Sequence, residues 1–430
     1  MKIFKKLGNR SLLILLVLLL SLTFFIGCAG PEEPAPEPSD NDVDEVEEVA
    51  EVLEIPIAIV EPISGPIAFA GLPSVRAAEI AIDEINERGG IASLGNAKLV
   101  LNVYDGESTP EGAQSAAERA VRDGNVMILG CAHGASAELV TRVAERNQIV
   151  NIVTLASPDS LTQRGFEYIY RVMPSTSQQL ISDLEFISSL EGVEDVVILY
   201  EDTAYGQDAV EQYKEFLDDF ELTLLDTMAY PHEAPDLTSV VARVRSHDPD
   251  FIIVAGYEKD SILLMETMRE QDYLPKGLLG KAFHTTYVDT LGKDGDYVFS
   301  TAWWTSNADP PGAPEGRSQQ VVEEYRDRYG ENMPDIAVMG FTAAMVAADV
   351  LERAGSLETA DLLDAVRSTQ LTGADGNLML TERVEFTENG DNKFGRTLVS
   401  QMIDGEQHIV YPVEFADLDM VFPMPSWRER

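Results

Sequence analysis

The chain has 430 residues, of which 45% are hydrophobic and 24% charged; this fits two globular domains and excludes a disordered protein. Against 74 Asp and Glu stand only 31 Lys and Arg, a formal net charge of −43. A surface that acidic repels phosphate backbones and excludes nucleic acid as a partner, and its self-repulsion points to a saline habitat in which added salt raises the unfolding midpoint.

The N-terminus carries a targeting pattern. Lys2, Lys5, Lys6 and Arg10 precede an apolar run at 12–26, and Gly27-Cys28 follows. A basic segment, a short apolar segment and a small residue at the cut make a secretory signal. The cysteine makes residues 1–27 resemble a bacterial lipoprotein signal peptide, which implies lipidation of Cys28, although Phe25 stands where such signals usually carry Leu. An uncleaved membrane anchor is the alternative, because the run is close to a span in length. Residues 28–54 are Pro-rich, then acidic, without an aromatic residue, and read as an extended linker. Asp40, Asp42 and Asp44 have the spacing of a calcium loop, but Glu45 occupies the position that needs glycine, so no metal is expected there.

From residue 55, short apolar runs alternate with segments of helical spacing. Strands are predicted at 57–60, 99–103, 126–129 and 149–153, and helices at 75–86, 113–121 and 137–144. Such alternation implies a parallel sheet covered on both faces. The pattern restarts with 168–172 and a helix over 175–190, which opens on the capping-box pair Ser175 and Gln178. Strands at 196–200, 222–229 and 251–256 and helices at 209–217, 237–244 and 261–268 continue it. Two successive α/β units predict two lobes. After the apolar run 298–304 comes a loop at 307–317, then helices at 319–329, 336–354 and 359–368. Residues 384–386 and 397–403 read as antiparallel strands around the turn Glu388-Asn389-Gly390, and 412–430 as an apolar, Pro-rich strap.

Catalytic signals are scarce. His133, His232, His247, His284 and His408 show no metal-ligand spacing, there is no nucleophile elbow, and Gly277 to Lys281 is too short for a phosphate-binding loop. Cys131 is the one cysteine after the linker, so no disulfide forms in the folded part; it reads as a buried small apolar residue, with nothing to orient His133 beside it. No catalytic residue, metal or cofactor is predicted. Loops at strand ends are the stronger feature: Ser64-Gly65-Pro66, residues 130–136 and Leu155-Ala156-Ser157. Open α/β sheets bind ligands there, and a helix start offers free N–H donors. Each loop alone is also readable as a plain turn; three at adjacent strand ends point to a pocket.

IAIVEPISGPIAFAG at 57–71, AEIAIDEINERGG at 78–90, Tyr104-Asp105, the 130–136 loop, LASPDSLTQRG at 155–165, Tyr205-Gly206 and FIIVAGY at 251–257 occur in that order. Over about 55–415 the chain resembles the branched-chain amino-acid type (type I) of periplasmic binding protein, the soluble receptor of an ABC importer. The resemblance implies an α/β two-lobed clamp, each lobe a mostly parallel sheet flanked by helices. Three hinge crossings are expected near 174–176, 302–304 and 383–391. Lobe one is then 55–174 with 304–383, lobe two 175–303 with 384–415, and 416–430 a tail.

It also implies a ligand set. Lobe one contributes Ser64, Phe69, Gly134, Ala135, Leu155, Ala156, Ser157 and Ile336; lobe two contributes Thr176, Tyr205, Tyr257, Lys281, Ala282 and Phe283. Gly134 stands where amino-acid binders often have serine, leaving only its N–H. Leu155 matches a backbone contact, Ser157 a hydroxyl contact and Tyr257 a ligand-touching tyrosine. The acids that pair an α-ammonium in such binders are missing: Thr176 occupies the first position, and 280–284 holds none. Glu61 reads either as their substitute from lobe one or as a solvated loop acid. Lys281 and His284 point instead to an anion or a neutral polar group, and Phe69, Phe283 and Trp304 to an apolar pocket or to core. The implied protein is no enzyme. It is an extracytoplasmic, lipid-anchored binder of a small amino-acid-like or carboxylate ligand, with an ABC permease as partner. A non-amino organic acid or small amide is the alternative ligand. A sensory receptor of the same fold, which needs a downstream membrane span and signalling domain, is the alternative role.

Overall fold

Strand β1 (Glu54–Glu61) is apolar almost throughout, and both its faces are buried: Ile55, Ile57 and Ile59 enter one core, Ala58 and Val60 another. In the computed structural model, which describes residues 53–430 apart from Glu233, Phe283, His284 and 376–380, this strand lies inside a five-stranded parallel sheet. The order is β2-β1-β3-β4-β5, with β2 (Lys98–Asp105), β3 (Met127–Leu129), β4 (Val150–Val153) and β5 (Ile169–Arg171). Helix α1 (Ala68–Glu87) covers one face; α2 (Pro110–Arg122) and α3 (Gly134–Arg146) cover the other. Helix α2 starts where Thr109 accepts the Gly112 N–H at 3.0 Å, with Pro110 at the first helical position, where its missing donor costs nothing.

The chain leaves this sheet after β5. Helix α4 (Thr176–Ser189) begins with the expected capping box: Ser175 Oγ accepts the Gln178 N–H at 3.2 Å, and Gln178 Oε1 accepts the Ser175 N–H at 2.8 Å. There follow β6 (Asp195–Glu201), α5 (Ala204–Phe216), β7 (Thr223–Tyr230), α6 (Thr238–His247), β8 (Phe251–Ala255), α7 (Glu258–Glu270), β9 (Gly277–Gly280), α8 (Thr285–Leu291) and β10 (Phe299–Ala302). Then α9 (Arg317–Tyr329), α10 (Val338–Ala354) and α11 (Thr359–Arg367) return to the first sheet, and α10 packs against α1 in the same core as Ile55, Ile57 and Ile59. A short antiparallel pair, β11 (Leu371–Thr372) and β12 (Arg383–Val384), precedes β13 (Leu398–Ile403) and β14 (Glu406–Tyr411). The second sheet runs β14-β13-β10-β9-β8-β6-β7, antiparallel only at β13 and β14. Helices α4 and α5 cover one face, α6, α7 and α8 the other, where Met424 and Trp427 of the C-terminal stretch are also buried.

Three features differ from the sequence reading. Residues 384–386 and 397–403 do not pair with each other: Val384 pairs with Leu371, and β13 lies between β10 and β14. The turn is present, but it closes a local bridge between Phe386 and Asn392. Strand β9 was hidden by its two glycines, which read as punctuation. Both answer to packing, since a Cβ on Gly277 would lie 2.4 Å from the Phe251 ring and one on Gly280 2.7 Å from Ser261 Oγ. Strand β14 was hidden because it begins with three polar residues, Glu406, Gln407 and His408, which leaves only Ile409, Val410 and Tyr411 as an apolar run before Pro412.

Candidate functional site

Ser157 follows β4 and Thr176 opens α4, so the first passage between the sheets brings them together. The Thr176 N–H donates to the Ser157 carbonyl at 2.9 Å, and the two hydroxyl oxygens lie 3.4 Å apart. They line a cavity of about 460 Å³ together with Tyr205 at the start of α5, Gly280 of β9, Lys281 beyond it and Thr301 of β10. These are the carboxyl ends of parallel strands, where the backbone leaves room for a ligand. A second cavity of about 780 Å³ is lined by Phe69, Trp303, Trp304 and Ile336 and shares Thr301 with the first.

Ser157, Thr176, Tyr205 and Lys281 thus meet in one cavity, and Phe69 and Ile336 in its neighbour. Tyr257 lies at the edge, half exposed, with its ring centroid 5.4 Å from that of Tyr205. Gly134 and Ala135 open α3; a Cβ on Gly134 would lie 2.9 Å from Pro158 Cγ, so the glycine lets the helix approach the loop bearing Ser157. Ser64 is exposed and donates its hydroxyl to Asp105 Oδ2 at 2.6 Å. The Leu155 side chain is core.

Two of the expected contact residues have their N–H groups already bonded within the fold. Ala156 is buried in the first lobe and its N–H is already given to the Cys131 carbonyl at 3.2 Å. Ala282 is buried against the second sheet and its N–H is given to Ser300 Oγ at 2.9 Å. Phe283, His284 and Cys28 lie outside the described residues. Cys131 is buried, as its apolar neighbours in the sequence suggest, and burial pushes its thiol far above the usual range.

Glu61 is neither a ligand acid nor a solvated one. Its side chain is wholly buried at the end of β1, where Oε2 accepts the Ala132 N–H at 2.8 Å and Oε1 accepts the hydroxyls of Ser74, at 3.3 Å, and Thr154. Burial pushes its carboxyl up to about 8. The first strand of the second lobe ends in the same way, with buried Glu201. Here two basic side chains attend: His232 Nδ1 at 2.6 Å and Lys259 Nζ at 3.2 Å from Oε1. Burial raises this carboxyl, but the bonds to His232 and Lys259 outweigh it and hold it below the usual carboxylate range.

Sequence reasoning missed Asp183. It lines the cavity from α4, beside Tyr213 of α5. The available signal was its position: Leu180, Asp183, Leu184 and Ile187 form one helical stripe, so the acid stands on the buried face. Among the described residues no cluster of His, Cys, Asp or Glu is placed to hold a metal ion, and no helix is long and apolar enough to cross a membrane.

The family model described as periplasmic binding protein matches residues 54–399. The chain belongs to the periplasmic binding protein family. It is therefore a small-molecule-binding protein that works outside the cytoplasm. It is 26% identical over 372 residues to the Leu/Ile/Val-binding protein homolog 7 of Brucella abortus, covering 84% of this chain and 92% of that one. Its fold is that of an ABC transporter substrate-binding protein from Desulfitobacterium hafniense in complex with Leu, with a TM-score of 0.66 and 21% identity over 84% of this chain and all of that one. It is also that of the leucine-, isoleucine-, valine-, threonine- and alanine-binding protein from Brucella ovis in its closed conformation, with a TM-score of 0.67 and 18% identity over 82% of this chain and 90% of that one. The type I two-lobed periplasmic-binding-protein fold expected from the sequence is the fold observed.

Proposed function

We propose that this binding protein is the solute receptor of an ABC importer, tethered to the membrane by lipid on Cys28 and by the acidic linker. Its ligand is a small amino-acid-like or carboxylate solute. A branched-chain amino acid is the first expectation, since relatives carry that name. One observation carries the reading: an open cavity of about 460 Å³ at strand ends, into which Ser157 and Thr176 bring hydroxyls. Hydroxyls and main-chain donors suit a carboxylate without a charged partner.

Lobe one is 55–174 with 304–383, and lobe two 175–303 with 384–415. The hinge lies at 174–176, 302–304 and 383–391, the third crossing running on toward Leu398 because Asp391 still pairs with β5. Solute bound between the lobes favours the closed form by its extra contacts there, and the permease reads the closed surface. The linker keeps the receptor near its permease and raises its effective concentration. A thermal-shift screen over amino acids, aliphatic and aromatic acids and small amides tests this: a midpoint raised by one class supports it, and no response to any of them sinks it. Small-angle scattering should show contraction with the same solute.

A second ligand reading, a non-amino organic acid or amide, is favoured by Lys281. Its side chain lines the cavity and forms no ion pair among the described residues. Preference for 4-methylpentanoate over leucine would establish it.

A further inference from the structure

Asp183 is 4% exposed and yet forms part of the cavity wall. The Tyr213 hydroxyl donates to its Oδ2 at 2.7 Å and the Thr301 hydroxyl to its Oδ1 at 3.3 Å. A carboxylate accepts about four hydrogen bonds, so roughly half its capacity is unused. It forms no ion pair among the described residues; the one cation whose field reaches it is Lys281, across the same cavity. Burial pushes the carboxyl up to about 6, which leaves it charged at neutral pH. A charge so placed is costly until something pairs it. The charged side chains lining the cavity are Asp159, Asp183, Asp208 and Lys281, an excess of acid that favours a cationic group. Of the three acids, Asp208 is exposed and bonded to Gln212, and Asp159 accepts the Ser177 N–H.

We propose that Asp183 receives the ammonium group of the bound solute and so replaces, from the second turn of α4, the acids missing at Thr176 and around Lys281. The ligand class is then a small α-amino acid, its carboxylate on the Ser157 and Thr176 side and its ammonium toward Asp183, Tyr213 and Thr301. This rests on the reading of the cavity as the solute site. Tyr213 and Thr301 orient the carboxylate and hold it ready, so little rearrangement is left for the binding step.

Calorimetric titration tests it with two probes: the standard L-amino acid that most raises the unfolding midpoint, and its des-amino acid, 4-methylpentanoate where that is leucine. Asp183→Asn should weaken the amino acid by about tenfold or more, the scale of a charge-assisted hydrogen bond, and leave the des-amino acid unchanged. Tyr213→Phe keeps the carboxylate and removes one orienting donor, so it should shift the same preference in the same direction by a smaller factor. It also serves should Asp183→Asn fail to fold. Lys281→Met should keep the preference for the amine. Unchanged amino-acid affinity in Asp183→Asn overturns the proposal. So does equal loss of both probes, which makes Asp183 a packing residue, and so does loss of the preference in Lys281→Met, which makes it only that lysine's counterion. A wild-type protein that binds carboxylates but no standard L-amino acid refutes this inference and leaves the receptor standing; one that binds nothing in the screen refutes both.

Discussion

Arg171 holds Asp391 with its guanidinium Nε 2.9 Å from Oδ1, tying the end of β5 to the chain as it returns toward the second sheet. The Arg171 side chain is fully buried, and its Nη1 donates to the carbonyls of Ser157 at 2.7 Å and Pro158 at 2.8 Å. One buried cation therefore sets both the loop that presents Ser157 and the approach to the third crossing. Asp391→Ala leaves that cation without its counter-charge, which should cost about 3 kcal/mol of stability in urea denaturation. Solute affinity should fall with it, because the Ser157 loop loses its anchor. A loss below about 1 kcal/mol would put the pair in the class of surface ion pairs.

Glu61 gives a pH dependence of unusual sign. The unfolded chain ionises this carboxyl near 4.5, the folded protein near 8. Between those values the unfolded state holds fewer protons, so this group's contribution to stability falls as pH rises. Glu61→Gln removes the charge that the fold resists. Its amide oxygen can accept the Ala132 N–H, and its NH2 can donate to Thr154 once that hydroxyl turns. Relative to wild type, the variant should gain about 1 to 3 kcal/mol between pH 5 and pH 8 in chemical denaturation. A difference independent of pH would show that Glu61 is already ionised in the fold.

The parallel strands were legible because burial on both faces makes them plain apolar runs, as in residues 57–60 and 251–255, and the strand-end loops followed from them. What stayed hidden depends on where a residue points or what lies opposite. Glu61 ends an apolar strand, and only the fold shows that Ala132, Ser74 and Thr154 enclose it. Asp183 needed a helical stripe to be read as a site instead of a solvated face. Ala156 and Ala282 each stand next to a residue that lines the cavity, but one residue's step along an extended chain turns a side chain to the other face. The pairing of 398–403 was misread because local sequence favours the nearest partner, whereas β10 lies about a hundred residues away along the chain.

Gly340 lets α10 pack closely against α1. A Cβ there would lie 2.0 Å from the Ser74 carbonyl oxygen, a backbone atom that cannot swing aside. Gly340→Ala must therefore lift α10 from α1 and disturb the helix that carries Ser74 against Glu61. A loss of about 2 kcal/mol is expected from overpacking, read as a lowered thermal midpoint. A gain, of the kind alanine gives at an exposed helical glycine, would mean that the helices are not in contact there.

Glu201 should behave oppositely to Glu61 although both end the first strand of a lobe. Its folded carboxyl lies below the unfolded value of 4.5, held there by His232 and Lys259 against the pull of burial. That contribution is present above the unfolded value and is lost as pH falls through the folded one. Glu201→Gln should therefore cost about 1 kcal/mol at pH 7, since both partners are half exposed and screened, and the difference from wild type should shrink as pH falls below 4.5. Urea titrations of variant and wild type at pH 7 and at successively lower pH decide it. If the difference from wild type does not change with pH, Glu201 contributes through packing, and its charge pairing with Lys259 has no thermodynamic weight.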